Sequence, residues 1–293
     1  MNIILDFLPF ALFFIMLGVG MSVSIKNIID VFKDLKVLCI GLFLQMLILP
    51  TIGFLFAIVA PVDIIFKLGI ILIASVPSAV TSNYITKLVD GNIALSVSLT
   101  AITTFFSFIT IPFVLIFVAP ILISEATVFQ ELNFVKISLF VLSMATLPVL
   151  IGIFIKTKFF IFVEKIKKFY SFFSLLLFFI IIFTAWFSEW NFILSLYKTI
   201  GLFVALLLIL IFITAYTLTN LFNLSEVNKK TIIIESLIQN AAVAIVVGSV
   251  AFGNESGYLA VAALYALLQY KILIFLWVIN KFFYNLNLKN KKN

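Results

Sequence analysis

One carboxylate stands inside an apolar stretch of this sequence. Glu235 opens the run Glu235-Ser236-Leu237-Ile238-Gln239-Asn240-Ala241-Ala242, and Gln239 follows it by four residues, so an intact helix puts both side chains on one face. The other acids fall in loops or at the ends of apolar runs, as Asp6 does. Two environments suit Glu235. Lys229 and Lys230 lie close enough to make it a solvated helix end, whereas the run from Thr231 to Ile234 favours burial in a bilayer, where an ionisable group marks function.

A second cluster reads Ala74-Ser75-Val76-Pro77-Ser78-Ala79-Val80-Thr81-Ser82-Asn83-Tyr84-Ile85-Thr86. Proline removes one helical hydrogen bond and clashes with the preceding turn, so the helix is either kinked or broken at Pro77. Broken backbone survives within a bilayer only where protein or a wet cavity surrounds it. A third cluster is a hydroxyl ladder: Ser96, Thr100, Thr103, Thr104 and Ser107 share one helical stripe, with Ser98 and Thr110 beside it. Most of these read as helix-packing hydroxyls. Gln45 stands alone in its apolar run, as an interhelical hydrogen bonder or as a ligand with a partner site. Together the clusters offer a carboxylate, amide oxygens, hydroxyls and freed carbonyls. Hard cations take oxygen ligands. Discontinuous membrane helices supply such oxygens, while their half-helix N-termini attract anionic substrates.

The elements that must position these groups follow from composition. The chain has 293 residues, 65% apolar and 11% charged, where a soluble domain carries about 25% charge. A bilayer span needs about 20 apolar residues, and this chain has apolar length for roughly nine. That excludes a soluble enzyme, a disordered chain, a nucleic-acid-binding domain and a disulfide scaffold. Histidine and arginine are both absent, so there is no imidazole relay and no guanidinium clamp. The one cysteine, Cys39, reads as a small apolar residue.

Apolar runs predict nine transmembrane helices, near residues 4–24, 37–59, 67–89, 92–120, 135–155, 169–187, 199–222, 231–252 and 257–280. Turn chemistry separates them, at Asp90-Gly91-Asn92 and at Gly253-Asn254-Glu255-Ser256-Gly257. No linker holds a soluble domain, so residues 1–293 read as one integral unit. With the N-terminus outside, 15 lysines lie in inner segments and only Lys67, Lys136 and Lys198 in outer ones. The positive-inside rule thus predicts N-out, C-in, and the net charge of +7 reflects topology rather than an anionic partner. The first span, with no lysine before it and Ser22-Val23-Ser24-Ile25-Lys26 after it, reads as retained. The two break candidates, spans three and eight, are five spans apart. Five-span inverted repeats produce that spacing, with the first helix of the first repeat missing.

These stretches resemble the bile acid:sodium symporter family, as a bacterial-type, nine-helix member. The resemblance runs over nearly the whole chain and is carried by Gly18-Val19-Gly20-Met21-Ser22, by Gln45 with Pro50, by Pro77 through Asn83, by Gly91 through Thr100, by Glu235 through Asn240 and by Phe252-Gly253. It implies an all-α inverted-repeat fold with two broken helices crossing at mid-membrane. A panel would hold the spans near 4–24, 135–155 and 169–187, and a core those within 37–120 and 199–280. It implies two Na⁺ sites, one at Ser82, Asn83, Ser96, Thr100 and Glu235, the other at Gln45, Glu235, Gln239 and the backbone around Ser236 and Ile238. Pro77, Ser78, Ala79, Val80, Thr81 and Asn240 would face an organic anion. The family usually has two glycines and a threonine where Ser78, Ala79 and Val80 stand, and often Trp-His-Asn where Gln269-Tyr270-Lys271 stand. Lys271 either snorkels to the cytoplasmic interface or faces the cavity, where it would bind the substrate anion or pair with Glu235 and stand in for one Na⁺.

The reading that results is a Na⁺-coupled symporter of a small organic anion in the cell (inner) membrane, and not an enzyme. Its rivals are a proton-coupled carrier or exporter of auxin-efflux type, and a membrane sensor that does not transport.

Overall fold

A computed structural model of the chain describes residues 2–122, 132–188, 190–252 and 256–290. The regular elements are helices: α1 (Asn2–Ser22), α2 (Ile25–Val31), α3 (Leu35–Phe43), α4 (Leu49–Val59), α5 (Ile64–Ser75), α6 (Val80–Leu88), α7 (Ile93–Leu122), α8 (Phe134–Val141), α9 (Leu147–Lys158), α10 (Phe160–Ser188), α11 (Trp190–Leu221), α12 (Glu226–Leu237), α13 (Ala241–Phe252) and α14 (Ser256–Asn290). Six stretches among the described residues are long and apolar enough to cross a bilayer: Leu35–Val59, Ile93–Val118, Phe134–Lys158, Phe160–Phe187, Tyr197–Leu221 and Gly257–Phe275. Phe7–Ser22, Ile64–Ser75 and Ala241–Phe252 are shorter apolar helices. Large apolar side chains such as Phe10, Phe117 and Phe172 point outward, as a lipid solvent requires. The polytopic all-helical class expected from composition is borne out.

Two π-turns show how sequence shapes the helices. α3 runs into α4 through a π-turn at Leu44–Ile48, and α8 into α9 through one at Leu142–Thr146. Both stand just before a proline, Pro50 and Pro148, within matching Leu-x-Met-x-x-Leu-Pro runs. Proline has no N–H to give to the carbonyl four residues back. The ladder slips by one residue, and the N–H of Leu49 reaches Leu44 O, that of Leu147 reaching Leu142 O. Within these wider turns Gln45 and Thr146 are buried.

The predicted spans near 67–89 and 231–252 are each two helices. α5 stops at Ser75 and α6 starts at Val80; α12 stops at Leu237 and α13 starts at Ala241. The stretch 160–168, read from its lysines as part of a loop, is helical, with Phe159 as the one residue between α9 and α10. Those lysines are helix-end residues, and Glu164 pairs with Lys156 at 2.7 Å and Lys167 at 3.2 Å. The stretch after the first span contains the seven-residue α2 rather than loop alone. The turn at Asp90-Gly91 is as expected, with Asp90 at φ 56° and Gly91 N–H bonded to Thr86 O at 2.8 Å. Gly253, Asn254 and Glu255 of the other predicted turn lie outside the described residues.

α1 and α9 pack backbone against backbone. A Cβ on Gly20 would land on the Val149 carbonyl, and one on Gly152 on the Leu17 carbonyl. Small residues are what permit such close approach between membrane helices.

Candidate functional site

The site is built where the two helix breaks meet. Val76 to Ala79 and Ile238 to Asn240 run extended past each other, with an antiparallel bridge between Ser78 and Gln239. Ala79 N–H donates to Ile238 O at 3.0 Å, and Asn240 N–H to Pro77 O at 2.9 Å. Each break thereby supplies the backbone partners the other lacks, which buried backbone requires.

The last four carbonyls of α12 are accounted for one by one. Ile234 O accepts from Ile238 N–H at 2.9 Å. Glu235 O accepts from Gln45 Nε2 at 2.5 Å, Ser236 O from Gln239 Nε2 at 2.8 Å and Leu237 O from the Tyr265 hydroxyl at 3.1 Å. A helix end inside a protein needs such partners. Gln45 and Tyr265 thus hold open a helix terminus that would otherwise be costly.

Glu235 is fully buried, and its carboxylate gathers four hydroxyls. Oε2 accepts from Ser78 at 2.5 Å and Thr100 at 3.0 Å; Oε1 accepts from Ser82 at 2.5 Å and from Ser96. Three further oxygen pairs surround these: Ser78 with Thr100 at 2.9 Å, Ser82 with Ala79 O at 2.7 Å and Ser96 with Asn83 Oδ1 at 2.6 Å. Each hydroxyl carries one proton. The seven oxygen pairs therefore share four protons, or five donors if the Asn83 amide is turned end for end. With Glu235 ionised, at least two of these contacts have no proton between them. A cluster this short of protons suits a cation, whose charge makes crowded lone pairs favourable. Its chemistry fits a hard monovalent ion, since all donors are oxygens and one is anionic. Among the described residues no group of His, Cys, Asp and Glu is arranged for a transition metal.

Behind this cluster, Gln45, Gln239 and Gln269 form a chain of amides. Gln239 Nε2 approaches Gln45 Oε1 at 3.4 Å, and Gln239 N–H donates to Gln269 Oε1 at 3.0 Å. Gln239 Oε1 and Gln269 Nε2 are buried without a partner among the described residues. The Gln239 oxygen is thus a buried acceptor with no donor among the described residues.

A cavity of about 110 Å³ opens on the other side of the breaks. Val19 and Ser22 of α1 and Tyr170 and Ser174 of α10 form one wall. Ala79, Val80 and Thr81 at the start of α6, with Asn240, form the wall opposite, and Lys167 also lines the cavity. The start of α6 has no side-chain cap, so its N–H groups and the helix dipole favour an anion there.

Of the residues singled out from sequence, Ser82, Asn83, Ser96, Thr100 and Glu235 come together in one cluster. Gln45, Gln239 and the Ser236 carbonyl come together in the other, whereas the Ile238 carbonyl is taken up by the bridge to Ala79. Ala79, Val80, Thr81 and Asn240 line the cavity. Ser78, expected to face the anion, turns instead to Glu235, and Pro77 contributes its carbonyl to the bridge. Lys271 is exposed, and none of the hydrogen bonds to Glu235 comes from it. Its two predecessors face inward: Gln269 on Gln239, and Tyr270, whose hydroxyl meets Thr81 Oγ1 at 2.8 Å. Neither carries an expected role from sequence, and the signal for them is two polar residues within an apolar span. Farther along α7, Thr103 and Ser107 bond their own helix at Leu99 O and Thr104 O, the packing role expected of most of the ladder.

Ser98 is fully buried and its hydroxyl has no partner among the described residues. Ser98→Ala is therefore expected to leave the protein as stable or to stabilise it by about 1 kcal/mol, the saved cost of an unsatisfied polar group. A thermal melt of the purified variant checks this.

The family model described as the sodium bile acid symporter family matches residues 9–196, more than half of the chain. The chain belongs to this family. Family members of this kind are transporters and not enzymes. The match ends before Glu235, so the second break lies outside it. Curated relatives agree. A chloroplastic "probable sodium/metabolite cotransporter" of Oryza sativa subsp. japonica is 36% identical over 92 residues, 31% of this chain and 23% of that protein. One of the same description from Arabidopsis thaliana is 28% identical over 157 residues, 53% of this chain and 36% of that protein. The ileal sodium/bile acid cotransporter of Homo sapiens is 26% identical over 144 residues, 49% of this chain and 40% of that protein. The matched stretches thus span 23–40% of the lengths of these relatives.

Proposed function

We propose that this family member is a Na⁺-coupled symporter that carries a small organic anion across the cell (inner) membrane. The observation that carries the reading is the oxygen cluster at Glu235, which has more short oxygen contacts than protons. One Na⁺ is held by Ser82, Asn83, Ser96, Thr100 and Glu235. The other is held by Gln45, Glu235, Gln239 and the backbone around Ser236 and Ile238. The unpartnered Gln239 Oε1 supports the second site. The anion occupies the cavity between α1 and α10 on one side and α6 on the other, with its charge toward the start of α6.

In this reading the chain crosses the bilayer nine times, N-terminus out and C-terminus in, in an inverted-repeat fold. α1, α8 to α10 form a panel and the remaining long helices a core. The cavity lies between them, so movement of core against panel exposes it to either side. Each net positive charge carried inward gains about 2.3 kcal/mol per 100 mV of membrane potential.

Proteoliposomes with an imposed Na⁺ gradient, screened against short-chain carboxylates, test the proposal. Accumulation that follows Na⁺ and not K⁺ is the expected result. Accumulation that follows a pH gradient alone would sink the Na⁺ assignment. It would favour the proton-coupled reading, for which one proton on Glu235 also relieves part of the proton shortage. Lys271 would then be the next residue to vary. Binding without flux under either gradient would favour a sensor.

A further inference from the structure

Ser78 belongs at once to the bridge, to the carboxylate cluster and to the stretch that leads into the cavity. Its backbone pairs with Gln239, and its hydroxyl donates to Glu235 Oε2 at 2.5 Å and meets Thr100 at 2.9 Å. The residue is 1% exposed. The very next residues, Ala79, Val80 and Thr81, form the cavity wall at the uncapped start of α6. No other hydroxyl on Glu235 has this placement. Ser96 and Thr100 sit within the long α7, and Ser82 already belongs to the first turn of α6, where its hydroxyl meets Ala79 O at 2.7 Å. Ser78 is the one donor on the extended segment itself, where side-chain attachment fixes the backbone that precedes the helix.

We propose that Ser78 is the positioning residue through which cation binding at Glu235 is transmitted to the substrate-facing start of α6. This rests on the Na⁺ reading of the Glu235 cluster. When a cation draws on the carboxylate, the Ser78 hydroxyl shifts between donating to Oε2 and offering its lone pairs to the ion. Its short side chain passes that shift to the Ala79 and Val80 backbone, and so to the N–H groups facing the anion. A glycine at this position would leave ion and anion sites adjacent but without this side-chain link.

The test uses the purified full chain, with NaCl exchanged for KCl at constant ionic strength. The first readout is the NaCl midpoint of thermal stabilisation for wild type, Ser78→Ala, Ser78→Gly and Glu235→Gln. The second is the maleimide labelling rate of Val80→Cys in a Cys39→Ser background, with and without each Ser78 substitution. Losing a hydrogen bond to a charged group is expected to raise the NaCl midpoint about tenfold. At saturating NaCl, Na⁺ should still change labelling of Val80→Cys when Ser78 is present, and should no longer do so when it is alanine or glycine. A purely structural role would lower the melting temperature in KCl without removing the Na⁺ effect on labelling. Ser78→Gly keeps the test open if alanine folds poorly, since glycine accepts any extended backbone. Ser78 variants that keep the full Na⁺ effect on labelling overturn the proposal while leaving the cation site standing. Wild-type protein with no Na⁺-specific stabilisation overturns the cation reading, and this proposal with it.

Discussion

Glu235→Gln is expected to abolish Na⁺-specific stabilisation of the purified protein and to cut Na⁺-driven uptake by about a hundredfold or more. The carboxylate offers two anionic oxygens, and four hydroxyls converge on them. An amide has one acceptor oxygen and turns an NH₂ toward hydroxyl oxygens on its other side. It also carries no charge to balance a buried cation. Removing one partner of a buried charge pair costs about 3–5 kcal/mol, which is about two to four decades in affinity. Thermal unfolding in NaCl against KCl reads the effect directly, because a ligand that binds only the folded state raises apparent stability. The melting temperature in KCl should change far less than the Na⁺ response. If the variant kept a Na⁺ response of normal size, the ion would have to sit elsewhere.

The second large effect lies outside the ion cluster. Gly20→Ala and Gly152→Ala are each expected to destabilise the protein by about 1–3 kcal/mol or more, since overpacking forces backbone to move. The atoms that a new Cβ would strike are main-chain atoms of the facing helix, Val149 and Gly152 for Gly20, and Leu17, Met21 and Gly20 for Gly152. Backbone cannot rotate away as a flexible side chain does. Both variants should show a lower melting temperature and a smaller monodisperse fraction on size exclusion. Gly201→Ala is the control: the nearest atoms to its Cβ lie 3.8 Å away on the Tyr197 ring, and no loss is expected. Within Gly18-Val19-Gly20-Met21-Ser22 the glycine role is thus divided, Gly20 serving helix contact and Gly18 lying on the cavity wall.

Much of the ion cluster was legible because polar atoms are rare in this chain. A lone acid, a lone glutamine and a hydroxyl stripe stand out against leucine, isoleucine and phenylalanine, and they find one another at Glu235. Pro77 marked one break. The other carries no proline, and only the polar run from Gln239 to Asn240 hinted at it. Side-chain direction was not legible in an extended segment. Alternation sends Ser78 to the carboxylate and its neighbour Ala79 to the cavity, and a one-residue difference in register would reverse them. Helix ends were misjudged where lysines stood. Lysine is a good helix former, so Lys165, Lys167 and Lys168 continue α10 rather than interrupt it. The amide chain through Gln269 depends on contacts thirty residues apart, which no local pattern encodes.

The bridge between the two breaks also sets an order of events during synthesis. Ala79 N–H and Pro77 O find their partners in Ile238 and Asn240, about 160 residues later in the chain. Until the ribosome has delivered those residues, the gap between α5 and α6 has no backbone partner from the other half, and the polar α6 has no α12 to shelter it. A nascent chain ending before Ile238 should therefore hold residues 64–88 poorly in the bilayer, whatever the strength of the flanking helices. Placement of the first break is therefore expected to wait on the second, and truncation between residues 222 and 238 with a protease-protection readout at residues 64–88 checks this.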